Sequence, residues 1–241
     1  MDLPFLLEAA TRISAGIPLT LQLAATSLLV GLVLALLLAA MRLSGVLPLD
    51  WTARAFVFVF RGTPLLVQMF LIYYGLPQVG FLRHGPLWPY LREPWWCALL
   101  ALALNTAAYG SEIIRGGLLS VPQGQIEAAR ACGMSGWKLF RRIIAPVALR
   151  QALPGYSNEM ILMVKATSLA SIITLMEITG LAHKMISESF RAIEVFVVAG
   201  AVYLAINFAI TRLVLGLEYW LSPHLRDAPE STRPKVLGEV H

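Results

Sequence analysis

Leu19 to Met41 is a run of 23 residues that carries no charge. Few folds can absorb it. As an α-helix rising about 1.5 Å per residue it reaches about 34 Å, which matches the roughly 30 Å hydrocarbon core of a bilayer with modest tilt. Water is absent from that core, so every backbone N–H and C=O has to be paired within the segment, as a helix does. The run also exceeds the apolar core of a cleavable signal peptide, and the residues before it include Asp2 and Glu8 as well as Arg12. Composition points the same way: 58% of residues are hydrophobic and 14% charged, where soluble domains average roughly 25% charged.

Four further stretches have the same character. The chain reads as an all-α integral membrane protein with five transmembrane helices, about 19–41, 63–81, 95–114, 158–178 and 195–217, in a single domain over 1–241. Thr63 is expected to cap the second span, with Pro64 in its first turn and Arg61 left near one membrane face. The stretch before it, Val46 to Phe60, with Trp51, Arg54 and several aromatics, suits an interfacial helix. Leu76 to Pro94 is rich in proline, glycine and aromatics and reads as an exposed loop with an aromatic belt. A polar loop occupies 118–156, and a disordered tail is expected over 223–241. An odd span count without an internal repeat argues against the inverted repeats of many secondary transporters.

Lysine and arginine orient this topology. One side holds thirteen of them, and the other holds five, at 12, 83, 92, 184 and 191. The positive-inside rule then puts 118–156 and the C-terminus in the cytoplasm and the N-terminus outside. The formal charge of +5 serves topology and not nucleic acid, because the basic residues are scattered between apolar runs. Cys97 and Cys132 fall on opposite sides, which rules out a disulfide framework. No phosphate-binding glycine loop, paired-histidine zinc helix or nucleophile elbow is present, and four scattered histidines make no metal site.

One long stretch breaks the apolar pattern. Pro122 opens a short helix of about 122–132, on which Ala128, Ala129 and Ala131 offer almost no side chain and Glu127 supplies an isolated anion. Gly133 suits the left-handed position after a helix, and Ser135 can cap a second helix with Trp137, Phe140, Ile143 and Ile144 on one side and Lys138, Arg141 and Arg142 on the other. Amphipathicity alone equally suits a hairpin lying on lipid headgroups.

The spacing Glu-Ala-Ala, three residues, Gly, nine residues, Ile, one residue, then an apolar residue and Pro resembles the cytoplasmic loop of permease subunits of ATP-binding-cassette importers. Glu127, Ala128, Ala129, Gly133, Ile143 and Pro146 stand at those positions, with Ala145 where the family usually has leucine. "RGTPLLVQMFLIYYGLP", "LNTAAYGSEIIRGGLLSVPQGQIEAARACGMS" and "ALRQALPGYSNEMILMVKATSLASIITLMEITG" resemble the polar amino-acid branch, above all subunits for basic amino acids and opines. The resemblance implies several partners. The loop would seat in an ATPase dimer, a separate polypeptide that binds ATP and magnesium, leaving no cofactor in this chain. A second permease subunit, with heterodimer favoured over homodimer, would complete the pore in a bacterial inner membrane. An extracytoplasmic substrate-binding protein would dock on Leu76–Pro94 and Ser187–Glu194. Glutamine-like substrates are the alternative, and a channel or membrane-embedded enzyme would be another class, disfavoured by the loop signature.

Charges inside spans are costly and mark candidate sites. Glu112 and Arg115, three apart, suit an ion pair. Glu159 can pair with a basic residue of the polar loop. Glu177 lies at the end of the fourth span. Lys165 is deep, with Thr167, Ser168 and Ser171 nearby, and such a cation with hydroxyls can hold an α-carboxylate, a role the resemblance also implies. The alternative is a structural pair with Glu159 or the partner permease. Asn105 and Tyr109, four apart, can add substrate contacts, although Asn105 equally suits helix–helix association.

Overall fold

The computed structural model describes residues 2–221, and the tail expected over 223–241 lies outside the described residues. All regular structure within them is helical. An amphipathic α1 (Leu3–Ser14) leads into α2 (Ile17–Leu43), and the pair forms one rod over Leu3–Leu43. Next come α3 (Leu47–Gly62) and α4 (Leu65–Phe70), the latter extended by a π turn over Leu71–Gly75 and a 3-10 turn over Leu76–Gln78.

These two helices meet at a bend of 104°. The expected cap at Thr63 is corrected by one residue: Pro64 is the N-cap of α4, and the Thr63 hydroxyl turns back to the Val59 carbonyl at 2.7 Å. The cause is steric, because proline forces the residue before it out of the helical region, and Thr63 is extended at ψ 144°. Buried Gln68 repairs the break by donating to the carbonyls of Phe60 and Thr63 at 2.8 and 3.0 Å.

Two single turns, α5 (Gly80–Arg83) and α6 (Trp88–Leu91), lie in the expected loop, where Tyr90 and Trp95 each meet Trp96 edge to face. Then follow α7 (Pro94–Leu119), α8 (Gln123–Ala131) and α9 (Gly136–Leu139), which passes through a π turn over Phe140–Ile144 into α10 (Ala145–Ala166). The helix that carries the fourth span therefore starts well before Asn158. It tightens to 3-10 geometry over Thr167–Ile173 and ends at left-handed Thr174, short of the expected Ile178. The remainder is α11 (Ile178–Ser189) and α12 (Ala192–Leu221).

Neighbouring side chains set the helix directions. Gly31 meets Thr106 and Arg42 reaches Glu112, so α2 and α7 are parallel. Parallel neighbours require an odd number of crossings between them, a requirement met when the bent α3–α4 unit counts as one span. Gly117 approaches Ala148 while Thr106 meets Glu159, so α7 and α10 are antiparallel. A Cβ on Gly117 would lie 2.7 Å from the Ala148 carbonyl oxygen, so only glycine permits this approach. Among the described residues three helices are long and apolar enough to cross a membrane, or up to five if each bent pair counts as one span.

The core follows from this packing. Leu23, Met69, Leu102, Met163 and Ile173 fill the centre, and Ala9, Ile13, Ile178 and Val195 form a second cluster that docks α1 on α11 and α12. Basic residues sort to opposite ends. Arg12 pairs with Glu188, and Arg191 pairs with Asp2 and Glu194 and stacks on Phe5, all at the α1–α11 end. At the other end Arg42 bridges Asp50 at 3.0 Å and Glu112 at 2.6 Å.

Candidate functional site

Two regions gather the candidate residues. The first is the polar hairpin. Glu127 and Ala128 are exposed on α8, and Gly133 closes the helix at φ 77°, a left-handed conformation with open space around it. Trp137 is 71% exposed and stacks on Phe140 at 5.4 Å, so the hairpin presents an aromatic pair beside exposed Lys138, Arg141 and Arg142. Ile143 and Pro146 are half-buried. Of the three alanines that offer almost no side chain, Ala128 and Ala131 are exposed and Ala129 is buried, because α8 turns that side inward. Ser135 holds the cap position of α9 without a side-chain hydrogen bond.

The second region is a cavity of about 250 Å³ between α7 and α10, lined by Asn105, Thr106, Tyr109 and Glu159 among apolar Leu102 and Leu162. Buried Glu159 accepts the Thr106 hydroxyl at 2.9 Å, which replaces the expected pairing with a basic residue of the polar loop. Asn105 donates to the Gln68 side chain at 3.3 Å and the Phe60 carbonyl at 3.4 Å, so it ties α7 to the α3–α4 break while lining the cavity. Tyr109 is open to one side, with Arg61 over its ring at 5.0 Å.

Other candidates separate from this group. Glu112 is held by Arg115 at 2.7 Å and by Arg42, so it belongs to the ion cluster and not to the cavity. The hydroxyl stripe beside Lys165 is also corrected. Thr167 is fully buried and donates to the Val164 carbonyl, Ser168 to Lys165, and Ser171 to Ser168, each at 2.7 Å. A 3-10 turn brings each carbonyl within reach of the hydroxyl three residues on, and the backbone takes them. Lys165 is exposed and pairs with no acid among the described residues. Glu177 caps α11 through the Thr179 and Gly180 amides at 2.9 Å and accepts from Tyr203 at 2.7 Å, a structural role.

Sequence reasoning missed Thr106, Gln68 and one pattern. Gln151, Asn158 and Lys165 are all exposed on α10 at seven-residue spacing, so they share one side of the helix. That spacing was visible in the chain. Gln68 had a signal too, as the lone amide one turn after a helix break.

The helical bundle, with its bent return helix and a polar hairpin at one end, has the fold of a membrane permease. Residues 19–223 match the family of binding-protein-dependent transport system inner membrane components, and the chain belongs to it. It is 61% identical over 241 residues to the octopine transport system permease protein OccM of Rhizobium meliloti, covering 98% of this chain and 97% of that protein. The nopaline transport system permease protein NocM of Agrobacterium fabrum is 54% identical and covered completely in both chains. The arginine ABC transporter permease protein ArtM of Escherichia coli is 43% identical over 70% of this chain and 76% of its own. Among solved structures, an amino acid ABC transporter superposes with a TM-score of 0.81 at 32% identity, over 90% of this chain and 98% of that one. A methionine transporter, MetNI in an inward-facing state, shares the fold at 0.59 and 20% identity. The chain is thus a multi-pass inner-membrane permease subunit of an ATP-binding-cassette importer. Such permeases work with a separate ATPase, which carries the hydrolysis, and with a binding protein.

Proposed function

We propose that this subunit passes basic amino acids or opines, with Glu159 facing the cationic group and Lys165 the α-carboxylate. The observation that carries the reading is the Glu159 carboxylate, buried yet bordering a cavity with Asn105, Thr106 and Tyr109. A charge so placed is expensive unless a counter-charge visits it. Lys165 lies six residues on, about 9 Å along the helix axis, a distance comparable with an extended arginine. Relatives named for octopine, nopaline and arginine support the class.

The pathway completes itself against a second permease, and a heterodimer is favoured. Gln151, Asn158 and Lys165 form the side of α10 that faces it, since an exposed cation deep in a span needs water or a partner chain beside it. The N-terminus lies outside and the C-terminus in the cytoplasm. Glu127, Ala128, Gly133, Ile143 and Pro146 seat the hairpin in an ATPase dimer that binds ATP and magnesium, with Ala129 packing beneath. The binding protein docks on Leu76–Pro94 and Ser187–Glu194 at the opposite end.

Uptake of labelled arginine, octopine and glutamine by vesicles carrying the complete importer tests the assignment. Glu159→Gln is expected to depress arginine and octopine uptake and spare glutamine. Lys165→Ala is expected to depress all three, since a charge-assisted contact contributes about 1.5–3 kcal/mol. Equal loss of glutamine in Glu159→Gln, or unchanged uptake in Lys165→Ala, refutes the corresponding role.

A further inference from the structure

We infer that a groove between α2, α7 and α10 holds an acyl chain of an anionic phospholipid of the cytoplasmic leaflet, with the phosphate on Arg150. This rests on the orientation proposed above. The groove measures about 430 Å³, and its walls are Leu32 and Leu36 of α2, Ile114 and Leu118 of α7, and Leu149 and Tyr156 of α10, among other apolar residues. Tyr156 alone among them carries a polar side-chain group, and its hydroxyl is engaged by the Leu28 carbonyl at 3.3 Å. Tyr156 apart, no side chain of the wall offers a polar ligand a partner.

The rim differs sharply. A smaller hollow of about 150 Å³, lined by Pro146, Leu149, Arg150 and Leu153, shares Leu149 and Leu153 with the groove, so Arg150 borders the same wall. Arg150 is exposed, as are Arg141, Arg142 and Lys138 toward the hairpin. Among the described residues none of the four pairs with a carboxylate, and Glu112 on nearby α7 is already engaged by Arg42 and Arg115. An apolar slot with an unneutralised basic rim at the cytoplasmic side matches the headgroup and chain of an anionic lipid. Length selects a lipid over a crossing helix: from Ala145 to Tyr156 the groove follows α10 for about 16 Å, one leaflet and not two.

The test uses the complete importer in vesicles of phosphatidylcholine with one part in four phosphatidylglycerol, about 25%, followed by mild detergent extraction and native mass spectrometry. Wild type should retain phosphatidylglycerol and not phosphatidylcholine. Arg150→Gln should lower its retention roughly fivefold, the effect of one basic residue near an anionic surface. Leu36→Gln, which makes the slot polar on its α2 wall and leaves the Arg150 hollow intact, should lower it as well. Equal retention of both lipids, retention indifferent to both variants, or a Leu149→Cys cross-link to the second permease in place of lipid would overturn the site. Substrate uptake by the same vesicles reports the transport reading separately, because an importer that transports while retaining no phosphatidylglycerol refutes the lipid site alone.

Discussion

Thr106 of α7 donates its hydroxyl to the Glu159 carboxylate of α10 over 2.9 Å, and both side chains are buried. The pair joins two antiparallel helices inside the span, where few groups can replace a lost partner. Thr106→Val keeps the shape and removes the donor, so it should destabilise the complex by about 1.5–3 kcal/mol, the range for hydrogen bonds to charged groups. In a Glu159→Gln background the same substitution should cost clearly less. Thermal unfolding of the four purified importers measures this coupling, and additive effects would show that the two residues do not act together.

The hairpin yields a prediction about coupling. Glu127→Lys reverses an exposed charge on α8 without touching the packed core, so the spans should fold and assemble while ATPase stimulation by loaded binding protein collapses. Gly133→Val should act through the turn, because a β-branched residue at φ 77° is strained by about 1–2 kcal/mol. Stimulation at wild-type level in both variants would remove the hairpin from the coupling path.

Arg42 holds two acids from different helices, Asp50 of α3 and Glu112 of α7, while its own side chain is 13% exposed. Arg42→Met should therefore destabilise by about 1–3 kcal/mol: below the 3–5 kcal/mol of a fully buried pair, because Arg54 and Arg115 still neutralise the acids. Arg54→Met, at the exposed end of the same cluster, should cost under about 1 kcal/mol. Comparing their melting temperatures checks the ranking, and a larger loss in Arg54→Met would contradict it.

Gly117→Leu should push α7 and α10 apart, since the Ala148 carbonyl and the Ala152 methyl already occupy the space of a side chain. Overpacking of this kind costs about 1–3 kcal/mol. Gly116→Leu, one residue earlier with nothing in the space of its Cβ, should be tolerated. Yields of monodisperse complex after detergent extraction distinguish the two, and equal yields would argue that the helices relax freely.

The uncharged run at Leu19–Met41 and the uneven sharing of basic residues between the two sides determined by themselves that this chain is a helical membrane protein with a polar hairpin, and the Glu-Ala-Ala-to-Pro146 spacing carried its resemblance to importer permeases. These are local or summed properties, and a helix in lipid must satisfy its backbone internally whatever surrounds it. The left-handed turn at Gly133 was legible for the same reason, since it depends on one residue's missing Cβ. Which polar groups meet was decided elsewhere. Thr106 and Glu159 are 53 positions apart, Arg42 and Glu112 are 70, and only the antiparallel and parallel packing of α7 against α10 and α2 brings them together. The hydroxyls after Lys165 looked free along the chain and were taken by their own backbone once the helix tightened. Ala129 and Ala128 are identical in composition and neighbours in sequence, yet one is buried and one exposed, because the side of a helix that faces inward is set by what packs against it.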